Sequence, residues 1–454
     1  MNNTNWTPRL SPDAGPVYQA IADALERDIE RGVIGDGQRL PTHRDLAAAL
    51  GLTPLTVTRA YKEAARRGLV ESTVGRGTFV RASGESRRSG SDIIDLTQNV
   101  ICGSDVSILE PRAVVALRSL IRDAGYSPAE GTLRHRTTAA GWMRRTGLET
   151  TPERIVLTGG AHQAMVAALA AVCGAGDVIL AEELTYARFT TIGNLLHATV
   201  HAVELDDQGI IPADLERAIR TKSPKALYLV PNFQNPTGIV MSEKRRREIA
   251  AIAIRHNLIL IEDDVYGFLH SSPPTPIAAY APDHTIYISS VSKSVTPSLR
   301  LGFASVPQAL VERVTAACAA LTPFTSTVAA ELFTQLVDSG AADRTVQAKR
   351  STLAVNRRAA ARAVNGLDVR SHAESPHLWI ELPPGVDAHE VAERARARGV
   401  AVLPSATFSP DRRPRVEAVR ISIGAADDAR QIETAVRTLA GLVTDGRLAV
   451  GVVV

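Results

Sequence analysis

The chain has 454 residues, 45% hydrophobic and 22% charged, with a formal net charge of +3 and three cysteines. That length is too great for one hydrophobic core and implies two or three domains of ordinary globular composition. Cys102, Cys173 and Cys318 are scattered without CxxC spacing, which argues against a disulfide scaffold or a metal site and suits a reducing cytosol. The start MNNTNWTPRL lacks the basic-then-apolar order of a signal peptide. No apolar run reaches the roughly 18 residues of a bilayer span, so a cytoplasmic protein with no membrane partner is expected.

Charge is unevenly placed. Residues 1–91 carry 13 Lys/Arg and 10 Asp/Glu, so the whole positive excess falls in the first fifth of the chain. Basic groups concentrated in this way neutralise phosphates, a modest sign of nucleic-acid binding.

Taken in order, Val17, Ile21, Leu25 and Ile29 recur every four residues and predict a first helix. After GVIGDG, the run LPTHRDLAAALGL predicts a second helix with Leu46 and Leu50 on one face, broken at Gly51. TPLTVTRAYKEAARRGL supplies a third helix from a threonine cap. LVEST and GTFVRA, separated by Gly75-Arg76-Gly77, predict a two-stranded hairpin with a basic tip. This is a winged helix-turn-helix layout. A small bundle serving only assembly is the alternative. Thr56, Thr58, Arg59 and Lys62 on the third helix, beside a basic tip, suit a groove-reading helix with a phosphate-touching wing.

The run LPTHRDLAAALGLTPLTVTRAYKEAARRGLVESTVGRGTF resembles the GntR-type DNA-binding domain along its whole length. The resemblance implies that Arg44 and Arg59 contact DNA and that Arg76 and Gly77 form the wing. The winged helix is placed at residues 13–82. The Ser-, Gly- and Arg-rich stretch that follows makes 83–91 a flexible linker, and 92–445 a large second domain.

In that domain, the apolar runs RIVLTGG, DVILAEE, KALYLVP, NLILIEDD, TIYISSVS and RLGFASV alternate with helical patterns, predicting a doubly wound, mostly parallel α/β sheet. Ligands in such folds bind beyond the carboxyl ends of the strands. The residues there are Gly160 and Ala161 opening a helix, Tyr186, Asn235 in NFQNPTG, Asp263 with Tyr266, and Ser290, Ser292, Lys293 and Arg300. Pyridoxal phosphate needs a lysine to hold it covalently, a carboxylate at its ring nitrogen, donors to its ring hydroxyl and an anion cradle. Each residue alone has an ordinary explanation, but their order after successive strands fits that one ligand.

YSPAEGTLR, TGGAHQA, PNFQNPTG, EDDVYGFL, SVSKSVTPSLRLG and AVRISIG resemble the fold-type I aminotransferases over residues 92 to about 445. The resemblance implies a doubly wound large lobe with a smaller α+β lobe. It gives Lys293 the covalent attachment, Asp263 the pyridine nitrogen, Asn235 and Tyr266 the ring hydroxyl, and Tyr186 the ring face. Ser290, Ser292 and Arg300 would hold the phosphate, and Tyr126 would reach the phosphate of a second subunit in a homodimer. Arg420 would bind a substrate carboxylate.

A GntR head on such a domain is the organisation of the MocR subfamily of regulators. Two departures matter: Asn235 is present where many members have lost it, and EDDVYGFL stands where EDDYDSEF is usual. Arg188 matches a position that binds an effector carboxylate in one branch. The expected function is a regulator that binds double-stranded operator DNA and senses an amine, an amino acid or the cofactor itself. The alternative is an active aminotransferase carrying a DNA-binding head.

Overall fold

The computed structural model describes residues 6–8, 16–30, 33–35, 38–67, 69–73, 77–80, 93–102, 125–426 and 428–450. They fall into two compact units, Met1–Ser91 and Asp92–Val454.

In the smaller unit, helices α1 (Val17–Glu30), α2 (His43–Leu50) and α3 (Pro54–Arg66) precede an antiparallel hairpin of β1 (Val70–Thr73) and β2 (Gly77–Val80). The Thr42 and Thr53 hydroxyls cap α2 and α3 by accepting from Asp45 N and Thr56 N, and α2 ends at Gly51. Ile21, Leu25, Leu46, Val57, Tyr61, Val70 and Val80 fill the core. Val17, expected on the apolar stripe of α1, is instead exposed; it lies in the first turn, at the edge of that core. Arg67, at the end of α3, reaches Asp23 and Glu26 (3.0 Å) of α1 and is also held by Glu63 (2.9 Å) of its own helix.

In the larger unit, seven strands form the central sheet: β4 (Ile155–Thr158), β5 (Val178–Glu182), β6 (Thr199–Val203), β9 (Ala226–Leu229), β10 (Ile259–Asp263), β11 (Thr285–Ser290) and β12 (Gly302–Ser305). Their order is β4-β12-β11-β10-β9-β5-β6, and β12 alone runs against the others. β7 (Leu205–Asp206) and β8 (Gly209–Ile210) form a small hairpin. The central strands are buried along their lengths, so they read as unbroken apolar runs rather than alternating ones.

A second lobe is built on a four-stranded antiparallel sheet in the order β13-β14-β17-β16: β13 (Asp368–Arg370), β14 (His377–Glu381), β16 (Leu403–Pro404) and β17 (Ala418–Ser422). The first described strand of the unit, β3 (Ile94–Asp95), pairs with β15 (Val400–Ala401) of this lobe. Ile94 N donates to Gly399 O at 2.7 Å and Ser422 N to Leu96 O at 2.9 Å, so the chain is sewn to the second lobe as soon as the unit begins.

Candidate functional site

On the smaller unit, Arg44 on α2 and Arg59 and Lys62 on α3 are exposed. Thr56 and Thr58 are half-buried: Thr56 Oγ1 lies 2.9 Å from the cap hydroxyl of Thr53, and Thr58 Oγ1 donates to Pro54 O at 2.8 Å. Gly77 opens β2 with a φ of 113°, and a β-carbon there would stand 2.9 Å from Arg39 Nε. The positive φ favours glycine there, and a β-carbon would also displace that guanidinium. Arg76 lies outside the described residues.

The predicted cofactor residues converge beyond the carboxyl ends of the central strands. After β4, Gly160 caps the helix Ala161–Val172 with a φ of 109°. A β-carbon on it would meet Arg300 Nη2 at 3.1 Å, and one on Gly302 would lie 2.7 Å from the carbonyl carbon of Gly160. Bare backbone thus opens this helix beside a guanidinium, which suits an anion. Ser290 and Ser292 lie alongside; Ser292 N and Oγ are each 3.1 Å from Ser290 Oγ.

At the end of β10, Asp263 is buried and accepts from Tyr228 OH at 2.8 Å, while its Oδ1 has no partner. Burial pushes its pKa up to about 6, against the hydrogen bond from Tyr228. Its neighbour Asp264 plays no such part. Asn232 Nδ2 donates to it at 2.9 Å, and Tyr287 donates to its other oxygen.

Lys293 follows β11. Desolvation lowers its pKa to about 8, helped by Arg420, Lys349 and Arg300 and opposed by Asp263. Those influences place the amine among the other expected groups. Its Nζ donates to Asn99 O. Asn99 Nδ2 also donates to the buried Tyr266 OH at 2.8 Å.

Arg420, on β17, is buried and held down to about 10 by desolvation. It donates to Asn235 Oδ1 at 3.0 Å and to Thr97 O, and lies 5.0 Å over the Phe408 ring. Tyr186 is half-buried after β5. Arg188 is exposed at the start of the helix Phe189–Leu195. Tyr126 is 87% exposed and stacks on Phe324 at 4.7 Å; among the described residues it has no hydrogen bond or ring contact with the Lys293 cluster.

Sequence reasoning missed four groups here. Tyr228 sits inside an apolar strand, and Asn99 lies far back in the chain. Lys349 donates to Lys293 O at 3.0 Å from the helix Ala341–Ala363. Glu182 is fully buried with a pKa pushed up to about 8 by desolvation. It anchors the loop that carries Asn235 by accepting from Gln234 Nε2 at 3.0 Å and Val230 N at 3.2 Å. The end of a strand read as DVILAEE could have flagged Glu182. Nothing in the local sequence marks the other three.

The residues fit pyridoxal phosphate on structural grounds: an orphaned buried carboxylate oxygen for a ring N–H, a desolvated lysine within its influence, and an anion cradle only glycine permits. The family profile "Aminotransferase class I and II" matches residues 91–439, and "Bacterial regulatory proteins, gntR family" matches 17–80. The chain is 30% identical over 450 residues to the HTH-type transcriptional regulator YdeF of Bacillus subtilis, covering 97% of both. It is 25% identical to the HTH-type transcriptional regulator TauR of Rhodobacter capsulatus, covering 90% of this chain and 93% of that one. Among solved structures, the kynurenine aminotransferase of Pyrococcus horikoshii superimposes with a TM-score of 0.70 at 24% identity, over 78% of this chain and 92% of that one. That likeness establishes the fold.

Proposed function

The chain belongs to the aminotransferase class I and II family and carries a gntR-type head, and from that premise we propose that it is a cytoplasmic, DNA-binding transcription regulator that senses a small amine through its larger unit. Its cofactor is pyridoxal 5′-phosphate. Lys293 would hold it covalently, with Asp263 Oδ1 at the ring nitrogen, Asn235 and Tyr266 at the ring hydroxyl, and Tyr186 on the ring face. Gly160, Ala161, Ser290, Ser292 and Arg300 would cradle its phosphate. Bound there, the cofactor supplies an electron-withdrawing ring and a carbonyl that can exchange its link to Lys293 for one to an incoming amine.

The remaining work falls to this chain's own groups. Arg420, desolvated and fixed by Asn235, presents a guanidinium for a carboxylate. The Lys293 amine, with a pKa of about 8, can hold or release a proton at Nζ near neutral pH. A primary amine bearing a carboxylate is therefore the favoured effector class, and Arg188 is a second anchor for it. A single observation carries the sensor reading. The two groups such an amine would engage, Lys293 and Arg420, both donate to carbonyls of one short segment, Asn99 and Thr97. That segment leads from the head into this unit.

A homodimer completes the reading. Exposed Tyr126 and Phe324 stack into apolar surface that water disfavours, and a second copy covering it would bring Tyr126 to the neighbour's phosphate. On the head, Arg44, Arg59 and Lys62, with Arg76 and Gly77, are the groups offered to operator DNA. The complete set Lys293, Asp263, Asn235 and Tyr266 also supports a second reading, slow transamination.

The test is a spectral titration of cofactor-loaded protein with amino acids, with and without operator DNA. Couplings between sites are typically about 1–3 kcal/mol, or roughly 5–150-fold, and are reciprocal. Operator should therefore shift the midpoint, and Arg420→Ala should weaken the amine by on the order of 10–100-fold. An identical midpoint with and without DNA, for an amine that does change the spectrum, would make the protein an aminotransferase with an independent head.

A further inference from the structure

Away from Lys293, a cavity of about 580 Å³ lies between the two lobes of the larger unit, within the ~300–1,000 Å³ of ordinary small-molecule sites. One wall is the helix Phe189–Leu195 beside the central sheet, and the other is the helix Ala388–Ala397 with residues 401–412 of the second lobe. Tyr186, Ala187 and Phe408 contribute an apolar floor. Lys293, Asp263, Asn235 and Arg420 do not line it. Phe408 stands between it and Arg420, whose guanidinium covers the Phe408 ring.

The rim is cationic and unsatisfied. Arg396 and Arg412 line the cavity with no carboxylate partner among the described residues, and the Thr190, Thr191 and Asn194 side chains likewise lack a protein partner. Several other exposed arginines of this unit are held in ion pairs, as in Arg144–Glu149, Arg255–Glu216 and Arg415–Glu204, whereas Arg188, Arg313 and Arg358 have no such pair among the described residues. The carboxylate of the lining, Glu393, is already 3.6 Å from His389.

Arg412 is also built into place. Its φ of 58° is a left-handed conformation that a β-carbon disfavours. A tight turn imposes it: Arg412 N donates to Ser409 O at 3.0 Å, and Asp411 accepts from Ser409 Oγ at 2.7 Å and Arg413 N at 3.0 Å. Strained backbone of this kind persists where its surroundings over-determine it.

We infer that this interlobe cavity is a second ligand site, taking a small anionic metabolite with a carboxylate or phosphate monoester on Arg396 and Arg412 and its body on Phe408 and Ala187. The planar guanidinium matches both anions with paired donors, and the hydroxyls of Thr190 and Thr191 can complete their shell. An occupant touches both lobes at once, so it bears on their separation without entering the amine site. The inference does not depend on the effector reading.

Cofactor-loaded protein is titrated by calorimetry with succinate and, separately, with glycerol 2-phosphate. Fluorescence of Trp379, which packs on Phe408 and Ala187, is followed in parallel. At least one anion should bind saturably, with affinity reduced at least about tenfold in Arg396→Gln and Arg412→Gln. Both rim arginines are exposed, so the variants should fold. Trp379→Phe should remove the fluorescence change and keep the heat. Response to succinate assigns a carboxylate ligand, and response to glycerol 2-phosphate a phosphate ester. Binding lost in Arg420→Ala but kept in Arg412→Gln would place the anion in the amine site and overturn the inference, as would no saturable heat with either probe.

Discussion

Arg44, Arg59 and Lys62 of the smaller unit stand in water, whereas Asp263 and Arg420 of the larger unit are buried and the Lys293 amine is desolvated. The difference separates two ways of using charge. Exposed cations cost the fold little, act over a Debye length and are screened by salt. Buried ones are held away from their ordinary ionisation by lost hydration, and that imbalance is what a ligand of opposite charge relieves. Substitutions in the head should therefore change affinity for DNA with little effect on its stability, while substitutions around Lys293 should change stability and binding together.

The sharpest test of the buried side is Lys293→Ala. Borohydride treatment of cofactor-loaded protein should trap one covalent cofactor per chain in the wild type and none in the variant. Cofactor trapped at another lysine, Lys349 included, would dismantle the assignment.

The independence of the two units can be broken in one step. Leu25→Ala opens a cavity in the head's own core and should cost that unit roughly 2–5 kcal/mol. A thermal scan should show the head's transition falling while the cofactor's absorbance and the transition of the larger unit stay fixed.

A smaller effect concerns pH. With its folded pKa raised to about 6 from 3.8, Asp263 binds its proton more tightly in the native state. Cofactor-free protein should thus lose stability as pH rises from about 4 to 6, with the penalty fully present above that. Lys293, lowered to about 8 from 10.5, has the opposite sign: its penalty is full below about 8 and fades as pH rises toward 10.5. Asp263→Asn should accordingly stabilise the cofactor-free protein at pH 7 by on the order of 1–3 kcal/mol and weaken its hold on the cofactor. Melting curves with and without cofactor would show the two effects in opposite directions.

The mildest change is expected at the exposed end of the comparison. Arg59→Ala should flatten the dependence of DNA affinity on salt by about one unit if it meets a phosphate. It should instead relax specificity at one base pair if it reads a base edge. A melting temperature lowered along with affinity would show that Arg59 is not the bystander to folding that its exposure implies.

Legibility followed the same divide. The winged layout could be read because each element announces itself locally: Thr53 before Pro54, Gly51 after Leu50, glycine at the head of β2. The central strands were legible as apolar runs, and Gly160, Asp263 and Lys293 as the polar residues ending them. What could not be read were the partners brought in from distant segments. Tyr228 on Asp263, Asn99 on Lys293 and Lys349 behind it are separated in sequence from the groups they touch. The same holds for the cavity walls, which the fold draws from two lobes.

The pairing of β3 with β15 has a consequence for how a message could leave the site. Thr97 and Asn99 lie a short stretch beyond Ser91, where the smaller unit ends. Their carbonyls are satisfied by Arg420 and Lys293. A carboxylate that claims Arg420 leaves the Thr97 carbonyl to be hydrated instead, which bears on one side of the seam at Ile94–Leu96. Amide hydrogens near Leu96 should then exchange faster with solvent when a carboxylated amine is bound.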